Sequence, residues 1–244
     1  MPNIVCLLTY QPSIVWLEFL SKFNHYQVVV IVDDILFDLS IIKEKYPSII
    51  FFQIKDEICE KAGYKNSSTA MNHKPSIAWD KAFYYFITQY PEDKINKIWF
   101  IEDDVYFYDE NVLINVDNSY RSADLLCKKI NKYNNPKHKL KYVWHWDKFN
   151  IEYGPPLYQS MICVTRLSLK MLHKIKNYIN ENKTLCFIEA LIPTLCKKNK
   201  LIFKTSQVFE SIIWRKEYTV KDINKINFFH PVKETRLHLK IRNI

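Results

Sequence analysis

Residues 97–107 read KIWFIEDDVYF. Ile98, Trp99, Phe100 and Ile101 form an unbroken apolar run of strand length, and three consecutive carboxyl groups, Glu102, Asp103 and Asp104, follow it directly. Val105, Tyr106 and Phe107 then resume the apolar pattern, so the acids are held against a core rather than on a solvated helix face. Carboxylates crowded at a strand end raise one another's pKa, and a cation is the simplest means of keeping them ionised. A divalent metal is the expected partner of this cluster.

Working outward, apolar runs of similar length at 4–9, 27–32 and 48–54 alternate with helical patterns at 13–23 and 76–89. That alternation predicts an α/β fold: a single domain with a mixed, mainly parallel central sheet flanked by helices. In such sheets ligands bind at the carboxyl ends of the strands. Thr9 and Tyr10 after the first strand, Asp33 and Asp34 after the second, and Glu102, Asp103 and Asp104 after the fourth are therefore expected around one crevice of nucleotide size. Taken alone, Asp33 and Asp34 read equally well as caps of the segment that follows.

Composition narrows the classes. With 244 residues, 48% of them hydrophobic and 15% aromatic, the chain can bury one large core and is not expected to be disordered. Its 35 basic and 26 acidic residues give a net charge of +9, which favours anionic partners. The lysines are scattered rather than gathered in a dense basic block, so nucleic acid is not the expected partner. Only Gly63 and Gly154 occur, which excludes a glycine-rich phosphate loop and the dinucleotide fingerprint. Cys6, Cys59, Cys127, Cys163, Cys186 and Cys196 show no CxxC spacing and sit mostly in apolar surroundings, the pattern of buried thiols in a reducing compartment. No apolar run approaches a membrane span, and a soluble cytoplasmic protein is expected. The Lys-, Ile- and Asn-rich usage resembles that of AT-rich genomes such as those of large DNA viruses.

The second half is less regular. Residues 142–150 (YVWHWDKFN) are strand-like and aromatic, 153–160 (YGPPLYQS) read as a turn-rich loop, 161–179 run from a strand into an amphipathic helix, and 186–200 (CFIEALIPTLCKKNK) form a second helix. The last stretch, INFFHPVKETRLHLKIRNI, is basic and sets a histidine behind an apolar pair.

Together these stretches resemble the GT-A-fold glycosyltransferases, which transfer a sugar from a nucleotide-diphosphate donor. EDD after the fourth strand resembles the family's DXD motif, with Glu102 in the first place and Asp104 in the last. FIEALIPTL resembles the helix head that carries an acceptor-side acid, and FFHPVK resembles the C-terminal histidine that completes the metal site. The resemblance implies Glu102, Asp104 and His230 as ligands of Mn²⁺ (or Mg²⁺), and Glu189 as the base of an inverting transfer. It also implies donor contacts from Thr9, Tyr10, Asp33, Asp34 and Asp103, with Lys74 near phosphate and Asp80 on ribose or sugar from HKPSIAWDKAFYYF. Residues 1–110 would bind the nucleotide-sugar, expected to be UDP-linked. Residues 111–244 would bind a glycan or other hydroxyl acceptor through Trp144, Trp146, Asp147 and Gly154. Two other classes fit the acid cluster: a metal-dependent hydrolase or nuclease, and a non-catalytic sugar- or nucleotide-binding module.

Overall fold

The computed structural model describes residues 3–68, 74–134 and 156–242. Its centre is a seven-stranded sheet. Strands β1 (Asn3–Thr9), β2 (Tyr26–Val32), β3 (Ile49–Gln53) and β4 (Lys97–Glu102) lie in the order β3-β2-β1-β4, all parallel. Beyond β4 the sheet continues through β8 (Val164–Ser168), which is antiparallel to β4, then β5 (Leu125–Leu126) and β9 (Phe203–Lys204). A separate pair joins β6 (Asn131–Tyr133) to β7 (Leu157–Gln159), so the part of 153–160 that is described is a strand where a loop was expected. The expected α/β architecture, mixed and mainly parallel, is the one observed, and the sheet draws strands from both 1–110 and 111–244.

The continuous apolar runs follow from burial on both faces. Ile4, Cys6 and Leu8 of β1, with Ile98 and Phe100 of β4, point into a core layer shared with α4 (Ala78–Thr88), α6 (Leu169–Asn182) and α7 (Ile188–Lys198). Val5, Leu7, Trp99 and Ile101 point into the opposite layer, packed by α1 (Ile14–Leu20) and α5 (Glu110–Ser119). This period of two decides where the acids go. Glu102 continues the series Ile98, Phe100 toward α4 and α7, whereas Asp103 continues Trp99, Ile101 toward α1.

Local chemistry sets the element ends. Ser13 and Ser168 cap α1 and α6 by accepting from Trp16 N and Met171 N at 3.3 and 3.2 Å. Two short helices, α2 (Ser40–Lys45) and α3 (Asp56–Lys61), follow β2 and β3. Gly63, after α3, has φ +87°, and a Cβ there would stand 3.2 Å from Ile179 Cγ2 and the Lys183 backbone; both the turn and the close approach call for glycine. The chain closes with α8 (Thr235–Arg242).

A buried ion pair ties α5 to the sheet. Arg166 of β8 is fully buried and pairs with Asp117, which also accepts from Tyr26 Oη at 2.6 Å, Asn3 Nδ2 at 2.7 Å and Trp99 Nε1 at 3.2 Å. Removing the acid would leave a buried guanidinium uncompensated. Asp117→Ala should therefore cost about 3–5 kcal/mol in a denaturant titration, whereas Glu92→Ala, which breaks only the exposed pair with His173, should leave the midpoint unchanged.

Candidate functional site

The strand order reverses at β1: the chain passes from β1 to β2 to β3 on one side and returns to place β4 on the other. Loops leaving the carboxyl ends of β1 and β4 diverge there and open a crevice. Register sets Leu8 beside Glu102, and the backbone bond from Asp103 N to Leu8 O (3.1 Å) carries the pairing one residue further.

The acid triplet splits as the sheet period requires. Glu102 accepts from Trp79 Nε1 at 2.7 Å, and Trp79 stacks on Phe100 with ring centres 5.5 Å apart. Asp103 turns the other way. Its Oδ2 lies 2.5 Å from Thr9 Oγ1, which is also 2.9 Å from Gln11 O, so one hydroxyl proton serves two acceptors. The Asp103 carbonyl accepts from Trp16 Nε1 at 2.8 Å. Asp104 comes within 3.5 Å of His230 Nε2 through its Oδ1.

His230 arrives from far along the chain and is stitched in place by main-chain bonds. Tyr106 and Phe229 exchange N–H···O bonds of 2.8 and 2.9 Å, and Val232 N donates to Asp104 O at 2.6 Å. His230 itself donates N–H to Ser211 O and accepts from Ile213 N, and the peptide to Pro231 is cis. Glu102, Asp104 and His230 each offer one ligand atom within 4.8 Å of the others. Donors bound at roughly 2.0–2.6 Å on opposite sides of one divalent ion stand about 4–5 Å apart, so the three fit a single ion. Two atoms of the set, Asp104 Oδ1 and His230 Nδ1, are buried without a hydrogen-bond partner among the described residues. Burial pushes the His230 imidazole below its usual range against the pull of Asp104, which keeps it in the neutral form a metal requires. Burial and then the neighbouring Asp104 push Glu102 up to about 7, with the Trp79 N–H opposing.

The triad stands between two pockets. One, of about 370 Å³, is lined by Gln11, Trp16, Asp103, Asp104, Lys233 and Thr235 among others. The second, about 190 Å³, includes Trp79, Glu102, Met161, Glu189, Trp214 and His230 in its wall. Glu189 thus faces the same space as Glu102 and His230. It lies in the first turn of α7, whose Leu191, Ile192 and Leu195 are buried. Pro193 has no N–H to offer the Glu189 carbonyl, which accepts instead from Ser160 N at 3.0 Å. Gln159 Nε2 lies 3.4 Å from Glu189 Oε2. The dipole at a helix start favours an ionised carboxyl; burial, then the charge of Glu102, overrides it and pushes Glu189 up to about 8.

Four of the expected donor contacts have partners within the chain. Asp80 is fully buried: its carboxyl accepts from Ser67 N (3.0 Å), Ser67 Oγ (2.6 Å) and Ile77 N (2.9 Å), and it lines neither of the two pockets beside the triad. Ser67 O in turn accepts from Ile188 N, and Asp80 thereby couples the start of α4 to the head of α7. Asp33 is buried between Lys81 Nζ (2.8 Å) and Lys74 Nζ (2.9 Å), and both lysines also reach Asp56. Lys74, expected at a phosphate, is spent on that quartet. Asp34 accepts from Gln11 Nε2 (2.6 Å) and Leu36 N (2.9 Å), bonds that hold its carboxyl below the usual range, and Tyr10 is exposed beside it. Trp144, Trp146, Asp147 and Gly154 lie outside the described residues. Trp79, Lys81, Gln159, Trp214 and Lys233 join the site or its supports without having been singled out. Lys233 alone had a signal, standing three residues after His230.

No family model matches the chain, and no curated protein matches it. Among solved structures, mouse xyloside xylosyltransferase 1 in its apo form is similar at 11% identity and a TM-score of 0.46, covering 94% of this chain and 97% of that one. A 4-diphosphocytidyl-2C-methyl-D-erythritol synthase from Anaerococcus prevotii is similar at 12% identity and a TM-score of 0.45, covering 84% and 86%.

The raised Glu189 has a consequence for stability. A carboxyl whose folded pKa exceeds its unfolded value stabilises the fold in its protonated form; the contribution is complete below 4.5 and is lost as pH rises through about 8. In metal-free buffer the melting temperature should fall across that window. Glu189→Gln should flatten part of the decline, and parallel profiles for the two proteins would refute the assignment.

Proposed function

We propose that the chain is a metal-dependent glycosyltransferase that moves a sugar from a nucleotide-diphosphate donor, UDP-linked by expectation, to a hydroxyl acceptor. The observation that carries the reading is the position of Glu102, Asp104 and His230 between two pockets, with Lys233 in one and Glu189 in the other. The larger pocket has the size and the cation for the donor's phosphates. The smaller one has room for a sugar ring, with the half-exposed Trp214 in its wall as an aromatic surface for the ring's C–H groups.

Glu102, Asp104 and His230 would hold a divalent cation, which would supply positive charge to offset that of the departing nucleoside diphosphate. The remaining steps belong to the chain itself. Lys233 meets phosphate oxygens from the side of Asp103 and Asp104. Glu189, held by Gln159 and by the Ser160 N–H on its own carbonyl, accepts the acceptor's hydroxyl proton as the hydroxyl oxygen attacks the anomeric carbon and the phosphate leaves from the opposite face. That base must be ionised, and neutralising Glu102 with a cation removes one of the two causes that raise Glu189. Direct displacement inverts the anomeric centre. A two-metal hydrolase would need a second set of ligands, and the described residues bring together only one group of three.

Two measurements test the reading. Glu189→Gln should lower transfer by about 10²-fold or more with donor affinity near that of the wild type; a variant that keeps most of its rate, or a product with the donor configuration retained, refutes the base assignment. Because imidazole suits Mn²⁺ better than Mg²⁺, His230→Ala should weaken Mn²⁺ binding more than Mg²⁺ binding in calorimetric titrations. Equal losses would reduce His230 to a packing residue.

A further inference from the structure

Helix α8 carries two side chains that the reaction above does not use. The Arg242 guanidinium lies 3.7 Å from the ring centre of Phe19, 4.5 Å from Tyr106 and 5.8 Å from Trp16. Its Nη2 donates to Phe107 O at 2.7 Å and its Nε to Tyr108 O at 3.4 Å, so the planar fork and the aromatic box fix it together. One turn earlier, His238 is fully buried, edge-on to Trp16 and Tyr106 with ring centres 5.5 and 5.1 Å away. Burial pushes its imidazole down to about 4, so at neutral pH it carries a single N–H. Nε2 lies 3.0 Å from Val232 O, which can only accept, and Nδ1 lies 3.4 Å from Arg242 Nη1, which can only donate. The proton therefore sits on Nε2, and the chain of donors runs from Arg242 to His238 to Val232.

Val232 is two residues from His230, and its N–H bonds to Asp104 O. Trp16, which flanks both α8 side chains, bonds to Asp103 O. One helix thus grips the acid segment through Trp16, Tyr106 and Phe107, and the histidine segment through Val232. We propose that Arg242 and His238 are positioning residues for the metal site, fixing the 229–232 segment so that the His230 imidazole stays within ligand distance of Glu102 and Asp104. The inference rests on the proposed metal reading. Residues that orient metal ligands typically govern affinity by about 10- to 100-fold.

The test is electron spin-echo modulation of Mn²⁺ added to the whole protein, read with the Mn²⁺ affinity and the melting temperature. Wild type should show ¹⁴N modulation from one imidazole, and His230→Ala should abolish it. If wild type takes up no Mn²⁺, or His230→Ala leaves the modulation in place, the metal reading fails and this inference with it. Given a sound metal site, Arg242→Ala and His238→Phe should lose most of the modulation and bind Mn²⁺ roughly tenfold more weakly. His238→Gln, which keeps an N–H for Val232 O, should recover both. His238→Phe keeps the ring packing and decides the matter if Arg242→Ala does not fold. Variants that melt earlier yet keep wild-type modulation and affinity would overturn the proposal, leaving α8 a purely structural helix.

Discussion

The site exists only because two main-chain pairings bring residue 230 to residue 104. Tyr106 and Phe229 exchange two hydrogen bonds, and Val232 donates to Asp104, so a segment more than a hundred residues downstream is registered against the end of β4. The pairing is sealed by apolar packing: Tyr106, Phe229, Tyr218 and Val232 form their own small core. Ordering so distant a segment carries a conformational cost that these few bonds alone would not offset. The aromatic cluster and the α8 contacts supply the remainder.

Electrostatics then work against the carboxyl cluster. Glu102, Asp104 and Glu189 share a region in which burial and mutual repulsion raise Glu102 to about 7 and Glu189 to about 8. The sheet period relieves part of the crowding by sending Asp103 toward α1, where the Thr9 hydroxyl meets it. What is left, two carboxyls and a neutral imidazole facing one another, is a donor set that a divalent cation would satisfy. At two other places the chain supplies the counter-charge itself, as Lys81 and Lys74 do for Asp33 and Asp56, and Arg166 for Asp117.

Much of the architecture was legible because burial on both faces writes strands as unbroken apolar runs, and because an acid cluster behind such a run has one place to go. The nearness of His230 to Glu102 and Asp104 was implied by the family resemblance alone, since no residue pattern links segments so far apart. What the residue pattern does not show is which polar side chains are held by neighbours within the chain. Asp33 was read as a donor contact because Lys81, its partner, looks like any lysine on an amphipathic helix. Asp80 was read as a sugar contact because its three donors come from Ser67 and Ile77, main-chain and hydroxyl groups that leave no mark on a residue pattern. Helix α8 escaped notice for a similar reason: its stability comes from the aromatic box around Arg242, assembled from α1 and the segment after β4.

The central claim is that one divalent ion sits between the two pockets on Glu102, Asp104 and His230. Crystals grown with Mn²⁺ and UDP, with diffraction recorded on both sides of the manganese absorption edge, test it most directly. The account predicts one anomalous peak within bonding distance of a carboxylate oxygen of Glu102, a carboxylate oxygen of Asp104 and a ring nitrogen of His230, with phosphate density on the Lys233 side. A fully occupied manganese peak elsewhere, or none at the triad in crystals that hold UDP, would contradict it.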